Sequence, residues 1–146
     1  MSDPAIALPL LAGLAGSVQA AVMGRFGGRI GVFEALAFSS AVQAVLTAVL
    51  LVAVRQTAAG YSDATRQPAW MWLGGVMGAF IVLSVTFATP RIGTAATIGL
   101  LIAGQLAMGV VIDRFGLFGF EQIGISWPRA LGIVLLGAGA ALSLHR

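Results

Sequence analysis

Long apolar stretches, separated by short polar segments, make up most of this chain of 146 residues. A helix needs about 20 residues to cross the roughly 30 Å of hydrocarbon in a bilayer. The stretches also lack the two-residue alternation of membrane β-strands. We therefore predict an all-α integral membrane protein, with residues 1–146 forming one transmembrane domain of five helices, over about 5–24, 32–54, 70–88, 92–112 and 130–144.

Turn-forming residues mark the connections between these helices. Residues 27–29, Gly-Gly-Arg, predict a short turn after the first helix, and residues 55–68 predict a polar loop after the second. Residues 89–91, Thr-Pro-Arg, predict a sharp break, because proline lacks an N–H donor and clashes with the preceding helical turn. The pattern thus gives short connections between the first and second and between the third and fourth helices.

The composition excludes several kinds of functional site. Only 9% of the residues are charged, against about 25% in soluble domains, so the chain could not solvate its surface in water. There is no cysteine and a single histidine, His145, so we expect no metal site, cofactor or histidine-based catalytic triad within one chain. The basic residues are all arginines near predicted helix ends, where they contact lipid headgroups, and we expect no nucleic-acid partner.

The arginines are evenly divided between the two sides of the membrane. Five spans would place the termini on opposite sides, with four arginines on each: Arg55, Arg66, Arg114 and Arg129 against Arg25, Arg29, Arg91 and Arg146. An excess of Lys and Arg normally sets the orientation of a membrane protein. The balance therefore predicts dual topology, in which the same chain inserts in both directions. Alternatively, loop position or a lipid effect decides the orientation.

Small residues form ridges along two of the predicted helices. The first helix carries Ala12, Gly16, Ala20 and Gly24, and the fourth carries Ala95, Gly99, Ala103 and Ala107. Such ridges let helix backbones approach closely where lipid supplies no hydrophobic drive. Most of these positions are expected to pack within one subunit, and at least one ridge is expected to serve a dimer contact.

Uncharged polar residues inside the predicted spans are candidates for substrate binding, because intramembrane polar groups are costly and often mark transport pathways. They are Gln19 in the first helix, Ser39, Ser40 and Gln43 on one face of the second, and Thr94 and Gln105 in the fourth. The alternative is that these groups join helices through hydrogen bonds worth about 0.6 kcal/mol each.

Glu34 is the one carboxylate predicted to lie inside a span. It is a candidate proton or cation site, because burial favours the protonated form of a carboxyl. It also falls in the first turn of the second helix, where the positive end of the helix dipole favours an anion. A structural role at the membrane interface, with Arg25 or Arg29 as partner, is the alternative.

Several short motifs, spread in order along the chain, resemble those of the YdcZ-like proteins in the drug/metabolite transporter superfamily. They are Val18-Gln19-Ala20-Ala21 with Arg25, Leu73-Gly74-Gly75 with Gly78-Ala79-Phe80, Pro90-Arg91-Ile92-Gly93, Gly104-Gln105 and Ile112-Asp113-Arg114-Phe115-Gly116. The connection broken by proline also resembles that of small multidrug resistance proteins. Met23 stands where this family commonly has an asparagine, and Glu34 and Gln43 stand where it usually has an apolar residue and a glycine.

The resemblance implies a five-helix half-transporter. Larger members of the superfamily carry two inverted five-helix repeats, and two antiparallel copies of this chain would rebuild that architecture with substrate near the midplane. It also implies that Gln19 and the Gly104-Gln105 pair contact substrate. The expected partners are the lipid bilayer, a small-molecule substrate, and an identical chain or an oppositely oriented paralogue.

The sequence therefore predicts a secondary transporter in the bacterial inner membrane that exports or exchanges a small organic molecule. It would work by alternating access as an antiparallel dimer, coupled to protons or another ion. The alternatives are a non-transporting subunit that stabilises or regulates another membrane protein, and a passive pore. An enzyme is not expected, because the chain has no convergent carboxylate pair, nucleotide-binding loop or extramembrane domain.

Overall fold

The computed structural model describes residues 4–55, 63–124 and 126–144, without the side chain of Arg129. These residues form helices, turns and loops and no β-strand. The long helices are α1 Pro4–Ile30, α2 Val32–Arg55, α3 Leu73–Ile92, α4 Thr94–Phe115 and α5 Trp127–Leu142. A 3₁₀ turn, Ala69–Trp72, leads into α3, and another, Leu117–Gly119, follows α4.

Four helical segments in the described residues are long and apolar enough to cross a membrane. They are α1, α2, α3 together with the 3₁₀ turn before it, and α4. The apolar helix α5 has 16 residues and a length of roughly 24 Å, which is shorter than the hydrocarbon core. The prediction of an all-α membrane protein is confirmed with four membrane-length helices, and the fifth span remains a prediction.

A single glycine, Gly31, joins α1 to α2. The predicted turn at residues 27–29 is wrong, because these residues continue α1. The Gly31 N–H donates to the carbonyl of Gly27 at 3.0 Å, and the Gly31 carbonyl accepts from the N–H of Ala35 at 3.1 Å. The chain turns there because Gly31 adopts a φ of 106°, which glycine tolerates without a steric penalty.

Gly93 separates α3 from α4 in the same way. The helix continues through Pro90 as far as Ile92, so the break predicted at residues 89–91 lies too early. Proline removes only its own donor, and the backbone bonding resumes with Gly93 N–H donating to the carbonyl of Thr89 at 3.0 Å. The break comes at Gly93 because its φ of 87° favours glycine.

The chain divides into two compact units, residues 22–87 and residues 1–21 with 88–146. In the first unit, the rings of Phe26 and Phe38 meet edge to face at 5.7 Å, which packs α1 against α2. Gly27 lies against Thr86 of α3: a methyl group at Gly27 would come within 2.5 Å of Thr86 Cγ2. Because Thr86 is fully buried, it has little room to move.

In the second unit, α4 packs against α5. A methyl group at Gly99 would lie 3.3 Å from Cβ of Ala140, so α5 would have to shift by a few tenths of an ångström to accept it. The loop after α4 folds back on that helix, because Gly116 adopts a φ of 60° and the Ile123 N–H donates to the Asp113 carbonyl at 2.8 Å. These contacts give the α4–α5 hairpin a defined geometry.

Two adjacent glycines test the α1–α3 contact. Gly27→Ala should lower the free energy of unfolding by about 1–3 kcal/mol, because the new methyl group overlaps Thr86. Gly28→Ala should keep or raise stability by up to about 1 kcal/mol, since no atom outside its own helix lies near and alanine favours helix. Thermal unfolding in detergent micelles measures both. Thr86→Ser should restore stability to Gly27→Ala, and equal effects of the two alanines would contradict the packing.

Candidate functional site

Gln19 and Gln105 are the uncharged polar residues that α1 and α4 leave exposed. Both lie in the unit formed by residues 1–21 and 88–146, and both are exposed. Neither side chain has a hydrogen-bond partner among the described residues. Gln19 directly precedes Ala20, which is fully buried, so α1 packs on one side of this position and is open on the other. These amides therefore do not join helices within the described part of the chain.

The polar face of α2 lies in the other unit, residues 22–87. Gln43 Nε2 donates to Ser39 Oγ at 3.1 Å, and the Thr47 hydroxyl donates to the Gln43 carbonyl at 2.8 Å. Ser40 is exposed beside them. The opposite side of α2 is an apolar groove lined by Phe38, Ala41, Val42, Val45, Leu46 and Val49. This helix therefore presents one face with hydrogen-bonding side chains and one apolar face.

Glu34 lies at the N-terminus of α2, beside the glycine that joins it to α1. Its carboxylate rests against Gly31, where a Cβ atom would overlap Glu34 Oε2. The side chain is exposed, and no ion pair joins it to Arg25 or Arg29 in the part of the chain described. The placement suits an anion at the positive end of a helix dipole.

The ridge of small residues along α1 changes character halfway. Ala20 and Gly24 are buried within the chain. Ala12 is exposed, and a methyl group at Gly16 would meet no described atom within 4 Å. On α4, Gly99 packs against α5, and Ala103 is half-buried. The C-terminal half of the α1 ridge, Ala20 and Gly24, therefore packs within the chain. The N-terminal half, Ala12 and Gly16, is free to contact another molecule.

Buried threonines are the polar residues that the sequence did not single out. Thr86, Thr89 and Thr97 are all at least nine-tenths buried, whereas the predicted Thr94 is half-buried. The sequence pattern treats Thr89 only as part of a chain break, so no signal points to its burial. Among the described residues, no group of three or more His, Asp or Glu side chains could hold a metal ion.

Comparison with known proteins identifies the family. Residues 4–142 match the family described as "Putative inner membrane exporter, YdcZ". The chain belongs to the YdcZ family. A segment of 93 residues is 31% identical to the inner membrane protein YdcZ of Escherichia coli (strain K12), covering 63% of this chain and 62% of that protein. The match thus spans less than two thirds of the relative's length. No solved structure matches the chain.

The resemblance predicted from the motifs is confirmed, and so is the location. The chain is a multi-pass protein of the bacterial inner membrane, as the family match and the apolar helices show. Its surroundings are therefore the lipid bilayer. The roles of the individual polar residues remain predictions.

Glu34→Gln tests the position of this carboxylate at the start of α2. Loss of the negative charge should lower the free energy of unfolding at neutral pH by about 0.3–1 kcal/mol, because the helix dipole favours an anion there. Glu121→Gln is the control, since Glu121 lies exposed in the loop after α4 and begins no helix. Thermal unfolding of both variants gives the comparison. An unchanged or raised stability of Glu34→Gln would show that the charge does not stabilise α2.

Proposed function

We propose that this protein is half of a secondary transporter, which exports or exchanges a small organic molecule across the inner membrane. The family description as an exporter supports transport in general. The composition supports it too, because the few polar residues within the apolar helices are amides and hydroxyls that can hydrogen-bond a passing molecule.

The observation that carries the proposal is the exposure of Gln19 and Gln105 within membrane-length helices. An amide facing hydrocarbon without a partner costs several kcal/mol on the scale of transfer from water to cyclohexane, at about 4–8 kcal/mol. Since nothing in the described chain covers these two side chains, they need a second subunit, a water-filled pathway or both. A transport pathway at the interface of two copies satisfies both amides at once.

The second subunit is a copy inserted the other way. The even division of arginines between the two sides favours neither orientation. Two antiparallel copies, each with five spans, would recreate an inverted repeat around a substrate site near the midplane. In this arrangement α5 is the fifth span, and local thinning of the bilayer accommodates its shorter length. An oppositely oriented paralogue could take the place of the second copy.

The candidate substrate contacts are Gln19, Thr94 and Gln105 in one unit, and Ser39, Ser40 and Gln43 on the polar face of α2 in the other. The bonded pair Ser39 and Gln43 shows that two of these side chains are already held together. Glu34 is the candidate for proton coupling, since it is the one carboxylate that the sequence predicts inside a span. As one subunit rocks against the other, the site opens to one side of the membrane and then to the other.

Export tests the roles of the amides. In cells that produce the protein, at least one small molecule should accumulate in the medium, as measured by untargeted mass spectrometry. Gln19→Leu and Gln105→Leu should each reduce this accumulation roughly three- to tenfold, because each loses a hydrogen bond to the substrate. Gln67→Leu, outside the long helices, is the matched control and should export normally.

Unchanged export in both amide variants, or no metabolite released by the unaltered protein, would instead indicate a non-transporting subunit. Thermal unfolding of the same variants must show intact folding.

In membrane vesicles, an imposed proton gradient should drive transport of the identified metabolite by the unaltered protein. If Glu34 couples proton movement to metabolite transport, the gradient should not drive transport by Glu34→Gln. Transport by this variant that still responds to the gradient would remove Glu34 from the mechanism.

Gly16→Leu tests whether the open half of the α1 ridge binds the second subunit. Leucine should abolish dimerisation without unfolding the chain, because Gly16 has free space around it in the single chain. Gly99→Leu is the contrasting variant and should destabilise the fold itself, through overlap with Ala140. Crosslinking in native membranes measures the dimer, and thermal unfolding measures the fold. Normal dimerisation and export by Gly16→Leu would place the subunit contact elsewhere.

A further inference from the structure

The hydroxyl of Thr89, near the end of α3, is buried without a hydrogen-bond partner. The residue is 8% exposed, and its Oγ1 contacts neither backbone nor side-chain polar atoms. Helical threonines and serines usually donate to the carbonyl three or four residues earlier. Thr47, Ser84, Thr86 and Thr97 all do so in this chain. Thr89 is therefore the exception among the three buried threonines of the described residues.

Thr97 provides a natural comparison within the same compact unit. Thr89 and Thr97 each lie four residues from Gly93, one before it and one after it, and Thr97 is 5% exposed. The Thr97 hydroxyl donates to the Gly93 carbonyl at 2.8 Å. The two residues thus share side-chain type, burial and distance along the chain from the α3–α4 junction. They differ in that one hydroxyl is satisfied internally and the other is not.

An unpaired buried hydroxyl costs about 1–3 kcal/mol, so it needs an explanation. A missing ligand explains it, because the group would then be satisfied only when the ligand is present. The buried polar side chains of the described residues are three threonines, with no buried charge. Burial of an unpaired charge is far more costly than burial of an uncharged group. The site therefore favours an uncharged hydrogen-bonding group.

We propose that Thr89 is a substrate-binding residue, whose hydroxyl contacts a hydroxyl, carbonyl or amide group of the transported molecule. This inference rests on the transport function proposed above and adds a residue on α3 to the pathway. Water offers the same chemistry and occupies the position when substrate is absent. A water-filled pathway must then reach Thr89, whereas the Thr97 hydroxyl already donates to the Gly93 carbonyl and needs no water.

Cysteine substitution tests access of water to the two positions, in a chain that has no cysteine of its own. N-ethylmaleimide reacts with the thiolate, which forms where water reaches the sulfur. In native membranes, Thr89→Cys should react at least about tenfold faster than Thr97→Cys. Ser126→Cys, in an exposed loop, is the positive control, and both buried cysteines should react fully after denaturation. Equal rates at the two buried positions would overturn the proposal.

Valine substitution separates a substrate contact from a structural one. Thr89→Val should leave the thermal stability unchanged or raise it, because no internal bond is lost. Thr97→Val should lower it through loss of the bond to Gly93. A fall in stability for Thr89→Val as large as that for Thr97→Val would indicate a fixed structural water or an internal partner, and would overturn the substrate role.

Transport gives the final comparison, with the metabolite identified by mass spectrometry as the probe. Thr89→Val should raise the concentration needed for half-maximal export roughly three- to tenfold, and Thr89→Ser should restore it. Unchanged export by Thr89→Val would contradict substrate contact at this position. The labelling and stability measurements require no transport, so failure of the Thr89 proposal and failure of the transporter proposal give different results.

Discussion

The bilayer requires every backbone polar group to find a partner within the protein, and the architecture of this chain depends on that requirement. Helices meet it along their length, but their ends do not. At Gly31 and Gly93 a single residue completes one helix with its N–H and starts the next with its carbonyl. The positive φ of each glycine changes the chain direction while this bonding continues. At both junctions the joining glycine therefore pairs its own N–H and its own carbonyl.

The same requirement divides the polar side chains into two groups. Thr47, Thr86 and Thr97 return their hydrogen bonds to their own helices and need nothing further. Gln19, Gln105 and Thr89 do not. In a membrane the second group is the one that calls for a partner subunit, water or substrate. The proposed pathway is thus defined by hydrogen bonds that the single chain leaves unmade.

Much of the fold could be predicted from the sequence, because the length of the apolar runs is set by the thickness of the bilayer. The start of α2 at Val32 is an example. The junctions were misplaced because glycine and proline mark several nearby turns equally well. In the structure Gly27 continues α1 and packs against Thr86, and the bend comes at Gly31. The burial of Thr89 could not be predicted either, because the sequence marks this residue only as part of a chain break.

The most direct test of the central claim is the orientation of the chain in the membrane. A single cysteine is introduced before α1 or, separately, after α5, and each variant is labelled from either side of intact vesicles with a membrane-impermeant maleimide. The account predicts that each position labels from both sides in comparable amounts, because the copies of the dimer are inserted in opposite directions. Labelling of each position from one side only would contradict the antiparallel homodimer.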